Sequence, residues 1–312
     1  MTDNSLLPAS DAAQKCGRVA VLMGGMSAER EVSLRSGQAV FNALLDAGVD
    51  AIAVDVQQNM IKTLSELQVD RVFNILHGRG GEGGQVQALL SLLEIPFTGS
   101  GVTASAVTLD KIINQRLLRG SDIPVPEFIE MLGIEDCEKV IEMLGLPVFV
   151  KPTREGSSLG MSPVNKAEEL PAAWKKASEY GAVFAEKMIV GAEYTAGYLD
   201  RTVLPLIRLE TPHEFYDYDA KYEAEDTRYS CPCGLDKSQI EDINQIVLKT
   251  IQVTGVRHWG RVDLMMDEQN KFWVIDVNTA PGMTDHSLVP MAAKAVGLSF
   301  SQLCLKILSL TL

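Results

Sequence analysis

The densest run of chemistry-bearing residues lies in the last third of the chain. Arg261-Val262-Asp263 and Asp276-Val277-Asn278 alternate polar with apolar residues, the pattern of a strand with one polar face. Side chains two apart on a strand share a face, so Arg261 and Asp263 point one way together, and so do Asp276 and Asn278. If residues 261–266 and 272–277 are neighbouring strands, two carboxylates and a carboxamide oxygen converge. Hard oxygen donors of this kind suit magnesium, which completes its shell with water and substrate phosphate. A merely solvated sheet face explains neither the apolar alternates Val262 and Val277 nor the turn that follows. That turn is Thr279-Ala280-Pro281-Gly282-Met283-Thr284. Its backbone N–H groups could form an oxyanion hole, although taken alone the segment is equally an ordinary turn before a helix.

A second constellation is Lys151-Pro152 followed by Glu155-Gly156-Ser157-Ser158-Leu159-Gly160. A lysine ending the apolar run 146–150 places a positive charge in a cleft. The small-residue loop lets backbone N–H groups approach phosphates. The lysine precedes the loop, so this is not the GxxxxGK[ST] P-loop, and no placed GxGxxG argues for a dinucleotide. Glu186, Lys187 and Glu193 follow. A strand-end acid can take a ribose hydroxyl pair and a strand backbone can read an adenine edge, but surface charges at a domain junction explain these residues equally well. Glu29 sits in the first turn of the first predicted helix, where the helix N-terminus favours an anion. It could hold a ligand's ammonium group, though helix-terminal charge optimisation is the simpler reading of Glu29 alone. His77, in the glycine-rich loop 77–84, divides in the same way.

These groups need elements to position them. Residues 18–22 form a short apolar strand ending at Gly24-Gly25. A helix follows with Ser27 as its N-cap, with Val40, Phe41, Leu44 and Leu45 on one face, and Gly48 ends it. Strands over 51–54 and 71–76 alternate with helices, which predicts an α/β unit with a parallel sheet closing near Thr98-Gly99-Ser100-Gly101. A second unit has a helix over 104–119 carrying Lys111, a strand over 146–150, a helix over 167–178 and a strand over 183–187. The third is richer in strands, with a hairpin from 194–199 and 203–209 and a helix over 243–253. After the two polar strands, helices over 288–295 and 300–308 close the chain. The long polar segment 211–234 has the character of a lid. The expected organisation is a flexible tail over 1–16, an N-terminal domain over 17–100, a central domain over 101–187 and a C-terminal domain over 188–312.

The chain has 312 residues, 46% of them hydrophobic and 22% charged, which supplies apolar material for more than one core and argues against long disorder. A net charge of -13 argues against nucleic acid as a partner, because phosphate contacts need an excess of Lys and Arg. A few lysines in a cleft can still hold a nucleotide. The 5 Cys show no pairing pattern, and Cys231 and Cys233 flank a single residue, so they form neither a CxxC motif nor half a zinc knuckle. Free thiols in a reducing cytoplasm account for them. The first 14 residues lack the apolar core of a signal peptide, and no apolar run reaches the roughly 20 residues that span a bilayer. The expectation is a cytoplasmic protein with no membrane partner.

Taken together, the residues resemble the D-alanine–D-alanine ligase family of the ATP-grasp superfamily. The resemblance runs over residues 17–308. It is carried in order by Gly24-Gly25, Ser27-Ala28-Glu29-Arg30-Glu31-Val32-Ser33, His77-Gly78-Arg79-Gly80-Gly81-Glu82, Tyr216-Asp217-Tyr218-Asp219-Ala220-Lys221-Tyr222, Gly260-Arg261-Val262-Asp263, Asn278-Thr279-Ala280-Pro281-Gly282-Met283-Thr284 and His286-Ser287-Leu288-Val289-Pro290. It implies a three-domain ATP-grasp architecture, with an N-terminal parallel-sheet domain and the nucleotide bound between the central and C-terminal domains.

The resemblance also implies residue roles. Lys111, Lys151 and Ser157 would contact ATP phosphates, joined by Lys221 when the mobile segment closes. Glu186, Lys187, Ile189 and Glu193 would hold adenine and ribose. Asp263, Asp276 and Asn278 would bind two magnesium ions, with manganese as an alternative. Glu29 would hold the first D-alanine's ammonium group, hydrogen-bonded with Ser157 and Tyr222, with His77 also at the substrate. Arg261 and the Gly282 backbone would stabilise a tetrahedral intermediate. Ser287 and Leu288 would receive the second carboxylate at a helix N-terminus. One departure is Asp276, which stands where the family often carries the longer Glu. The implied activity is ATP-dependent joining of two D-alanines through a D-alanyl phosphate, releasing ADP and phosphate, for peptidoglycan precursors, by a homodimer. The alternatives are a D-alanine–D-lactate ligase and a non-catalytic nucleotide-binding regulator. The Lys221-Tyr222 pair favours dipeptide synthesis, and the retained metal ligands and lid lysine speak against a regulator.

Overall fold

The computed structural model describes residues 9–57, 59–210 and 227–312. The first part of the chain runs α1 (Ala9–Lys15), β1 (Arg18–Gly24), α2 (Arg30–Asp46), β2 (Asp50–Val56), α3 (Met60–Ser65), β3 (Arg71–Asn74) and α4 (Gln85–Leu92). The strands form a parallel sheet in the order β2-β1-β3. After its exposed first residue β1 is buried throughout, as the central strand of a covered parallel sheet must be. Helix α2 lays Val40, Ala43 and Leu44 on it. Any side chain at Gly37 would run into Met23, so this glycine sets how closely α2 approaches the sheet.

Two expectations are corrected here. Within residues 1–16, expected as a flexible tail, residues 9–15 form α1, whose Ala12 and Ala13 join the core beside Cys16. The cause is Arg71, which donates to the Cys16 and Thr311 carbonyls and so ties both ends of the chain to β3. Ser27 does not cap α2. The helix starts at Arg30 with Glu29 in the cap position, while the Ser27 hydroxyl donates to the His77 carbonyl at 2.8 Å.

The middle of the chain runs α5 (Val102–Leu109), α6 (Lys111–Gly120), β4 (Phe128–Met131), α7 (Cys137–Leu144), β5 (Val148–Pro152), β6 (Ser162–Val164), α8 (Leu170–Ser178) and β7 (Val183–Lys187). The single helix expected over 104–119 is broken at Asp110. This residue is extended, and its carboxylate accepts from the Ile113 N–H at 3.2 Å and from Arg154 Nε at 2.8 Å. A capping acid there opens a new helix, which puts Lys111 at its first position. The four strands form an antiparallel sheet in the order β4-β7-β5-β6, packed with α7 and α8 through Val140, Leu144, Leu170 and Ala173.

The last part runs β8 (Gly191–Leu199), β9 (Thr202–Val203), β10 (Ile207–Glu210), β11 (Arg228–Ser230), α9 (Lys237–Thr254), β12 (Trp259–Asp267), β13 (Phe272–Asn278), α10 (Leu288–Ala295) and α11 (Phe300–Ser309). Its sheet has the order β11-β10-β8-β12-β13, with β9 paired to β8. Part of the segment expected as an irregular lid is strand, because β11 pairs antiparallel with β10. Lys221 and Tyr222 lie outside the described residues. Helix α9 packs Ile243, Val247 and Ile251 with Tyr194, Val262, Leu264 and Val277 of the sheet. Helices α10 and α11 share one core with β1 and α2, which joins the last sheet to the first. Among the described residues no single helix is long and apolar enough to cross a membrane.

Candidate active site

Strands β12 and β13 pair antiparallel with Arg261 opposite Asn278, Val262 opposite Val277 and Asp263 opposite Asp276. The register therefore gathers the four polar residues on one face, and the two valines between them are buried. Arg261 forks onto Asp263, with Nε to Oδ1 and Nη2 to Oδ2 both at 2.8 Å. The Thr195 hydroxyl donates to Asp263 Oδ1 at 2.7 Å from the neighbouring β8. Asn278 Oδ1 accepts from the Ala280 N–H at 3.1 Å, which sets the start of the 279–284 turn.

A cleft of about 550 Å³ lies between the four-stranded sheet and the last sheet. Of the residues expected at the nucleotide, Lys111, Lys151, Ser157, Glu186, Lys187, Ile189 and Glu193 line it, together with Asp263 and Asp276. Lys151 Nζ lies 2.6 Å from Glu186 Oε1, and Gln115 donates to the other oxygen of that carboxylate. Both members of the ion pair are buried. Glu186 thus fixes the lysine at the end of β5. The Lys187 ammonium donates to the Leu144 carbonyl at 2.6 Å, so its charge is engaged on α7. Lys111 Nζ donates to the Glu155 carbonyl at 2.7 Å and anchors the 155–160 loop from below. In that loop Ser157 and Ser158 both have positive φ, 50° and 60°. Non-glycine residues rarely adopt this region, and such strain clusters at ligand-binding loops.

A second cleft, of about 660 Å³, is lined by Glu29, His77, Arg261, Gly282, Ser287 and Leu288 among others. Ser157 Oγ donates to Glu29 Oε1 across the boundary between the first and middle parts of the chain. Two glycines make room for that carboxylate. A Cβ on Gly78, whose φ is +66°, would lie 2.7 Å from Glu29 Oε2, and one on Gly156 would lie 2.6 Å from it. Ser287 stands at the N-cap position of α10, and its hydroxyl accepts from the Thr284 N–H at 2.9 Å. His77 is buried, its Nε2 has no hydrogen-bond partner among the described residues, and burial holds its pKa below the usual value, favouring the neutral ring.

Two residues of this region carried no assigned role in the sequence reading. Arg79 bridges to Glu155 at 2.7 Å and also donates to the Tyr180 carbonyl, so the 77–84 loop grips the middle part of the chain at two points. Glu82 accepts from the Gly78 N–H at 2.6 Å. Burial, and after it the Glu29 carboxylate, push its carboxyl up to about 8. An acid raised in the folded state contributes stability below its unfolded pKa, and that stability is lost as pH rises through the folded value. The melting temperature of Glu82→Gln should therefore gain on the unsubstituted protein as pH is raised from 5 to 9. A constant difference over that range would contradict this reading of Glu82.

Two family models match the chain, D-ala D-ala ligase N-terminus over residues 57–100 and D-ala D-ala ligase C-terminus over residues 117–309. A D-alanine–D-alanine ligase of Methylococcus capsulatus is 54% identical over 297 residues, covering 95% of this chain and 96% of that relative. The chain belongs to the D-alanine–D-alanine ligase family. A further relative, the D-alanine–D-alanine ligase of Acinetobacter baumannii, is 50% identical over 96% of this chain and 98% of its own length. Among solved structures, the VanG D-Ala:D-Ser ligase of Enterococcus faecalis superposes with a TM-score of 0.83 at 28% identity, covering 95% of this chain and 99% of that one. The D-alanine–D-alanine ligase of Bacillus anthracis complexed with ATP superposes with a TM-score of 0.81 at 30% identity, covering 94% of this chain and 97% of that one. For a member of this family the telling feature is that the two clefts share Lys111, Gly156, Ser157 and Asp276.

Proposed function

We propose that this chain is an ATP-dependent ligase that joins two D-alanines into D-alanyl-D-alanine for peptidoglycan precursors. The observation that carries the reading is the shared wall of the two clefts, which lets a group move from a nucleotide in one to an amino acid in the other. The phosphates lie against Lys111, Lys151 and the 155–160 loop, with adenine and ribose at Glu186, Lys187, Ile189 and Glu193. Glu29 holds the ammonium of the first D-alanine, with Ser157 fixing the Glu29 carboxylate. That substrate's carboxylate oxygen attacks the γ-phosphorus, the bond to the β–γ bridging oxygen breaks, and ADP leaves. The amine of the second D-alanine, having given up a proton, attacks the acyl carbon. Arg261 and the Gly282 N–H hold the developing oxyanion, the C–O bond to phosphate breaks, and phosphate leaves.

Asp263 and Asp276 border the first cleft and Asn278 the second, on one face of the paired β12 and β13, and their oxygens would hold two magnesium ions. Bound there, magnesium supplies neutralisation of phosphate charge. Manganese has the same preference for oxygen. Residues 17–100, 101–187 and 188–312 act as three domains. The protein works in the cytoplasm as a homodimer.

The test is phosphate release from Mg-ATP with D-alanine, with L-alanine, and with D-alanine plus D-lactate or D-serine, with the product mass determined. Phosphate matched by D-alanyl-D-alanine, with none from L-alanine, is expected. A depsipeptide or mixed dipeptide as the dominant product would reassign the acceptor. Nucleotide binding without turnover would point to a regulator.

A further inference from the structure

The second cleft is lined by three acidic residues, Glu29, Glu82 and Asp276, and three basic ones, Arg35, Lys111 and Arg261. Its intended occupants are amino acids, each carrying a carboxylate that the Glu29 and Asp276 carboxylates repel, while burial favours the neutral form of Glu82. Arg261 is forked onto Asp263, and Lys111 donates to the Glu155 carbonyl. Arg35 differs from both. It is exposed on α2, and among the described residues no carboxylate pairs with it.

Its placement is fixed by its neighbour. The Ser36 hydroxyl accepts from the Met283 N–H at 3.1 Å, which pins this turn of α2 against the loop running into Ser287. The Thr284 N–H in turn donates to the Ser287 hydroxyl at 2.9 Å, at the start of α10. A helix residue is thereby presented at the wall where Ser287 and Leu288 stand.

We propose that Arg35 captures the carboxylate of the incoming acceptor, an amino acid with a free α-carboxylate, ahead of its transfer to Ser287 and Leu288. This rests on the reading of Ser287 and Leu288 as the acceptor-carboxylate end. A charge at the rim of a site acts mainly on association and its salt dependence rather than on the bound state.

Arg35→Gln should raise KM for the second D-alanine about 5-fold, leaving kcat and the KM for the first D-alanine within a factor of about two. It should also flatten the fall of acceptor kcat/KM with added salt. Arg35→Lys should restore most of both, because steering needs a charge and not a fork. Ser287→Ala is measured in parallel. An acceptor KM and salt slope untouched by Arg35→Gln but raised KM in Ser287→Ala would overturn the role of Arg35 alone. An acceptor KM untouched by both variants would overturn the acceptor placement and the role of Arg35 with it. An unchanged salt slope despite a raised KM would also overturn steering, leaving Arg35 a packing residue.

Discussion

Asp263→Ala should lower kcat for phosphate release by about 10³-fold or more, since removing charge neutralisation from a phosphoryl transfer forfeits several kcal/mol. The size of the loss follows from the company Asp263 keeps. Its carboxylate takes both Arg261 nitrogens at 2.8 Å and the Thr195 hydroxyl at 2.7 Å, while facing Asp276 across the strand pair. On the proposed mechanism, truncation removes a proposed metal ligand, and it also releases the Arg261 guanidinium proposed for the oxyanion. Asp263→Asn separates the two effects. The amide oxygen still accepts from Thr195 and one Arg261 nitrogen, so the fold and the arginine are largely kept while the charge is lost. Both variants should fold, with unfolding midpoints close to that of the unsubstituted protein, and both should be nearly inactive. Near-normal turnover by Asp263→Asn would remove Asp263 from the charge-neutralising set.

The second large effect belongs to the buried pair under the phosphate cleft. Glu186→Gln should destabilise the protein by about 3–5 kcal/mol, because Lys151 is left buried without a countercharge. Its side chain is only 10% exposed and that of Glu186 only 2%, so water cannot take over. Lys151→Met should cost stability in the same way, by stranding the acid against Gln115. The double variant should be more stable than the sum of the single effects implies, since neither charge is then orphaned. Urea unfolding of the four proteins measures this coupling. Strict additivity would mean that the pair is solvated in a way its burial contradicts. Both single variants should also bind ATP more weakly, because the position of the Lys151 ammonium is set by Glu186.

The contrast between these residues and others shows what the chain discloses in advance. The faces of β12 and β13 were legible because a period of two is a local property, and Val262 and Val277 declare which face is buried. The parallel first sheet was legible because its strands alternate with helices, and parallel neighbours need such crossover connections. The lysine ending β5 and the small-residue loop after it were legible for the same local reason.

Other features depend on contacts between distant residues, which no local pattern reports. The helix carrying Lys111 breaks at Asp110 because Arg154, 44 residues away, fixes that carboxylate. Residues 9–15 form a docked helix because Arg71 reaches back to Cys16. Ser27 has the composition of a cap, yet the His77 carbonyl recruits it instead. Arg79, Glu82 and Arg35 acquire meaning only when the first part of the chain closes on the others. Their types were visible from the start, but their partners were not.

The most direct test of the central claim, transfer of a phosphoryl group to the first D-alanine before peptide formation, follows oxygen atoms. D-alanine labelled with ¹⁸O in both carboxylate positions is turned over with unlabelled ATP, and the phosphate and the dipeptide are analysed by mass. Attack of the first carboxylate on the γ-phosphorus requires one ¹⁸O in each phosphate released and one ¹⁸O in each amide carbonyl. Phosphate free of ¹⁸O would mean that ATP is cleaved by water or that the acyl group is activated some other way, and the two-cleft mechanism built on Glu29, Ser157 and Asp263 would fall.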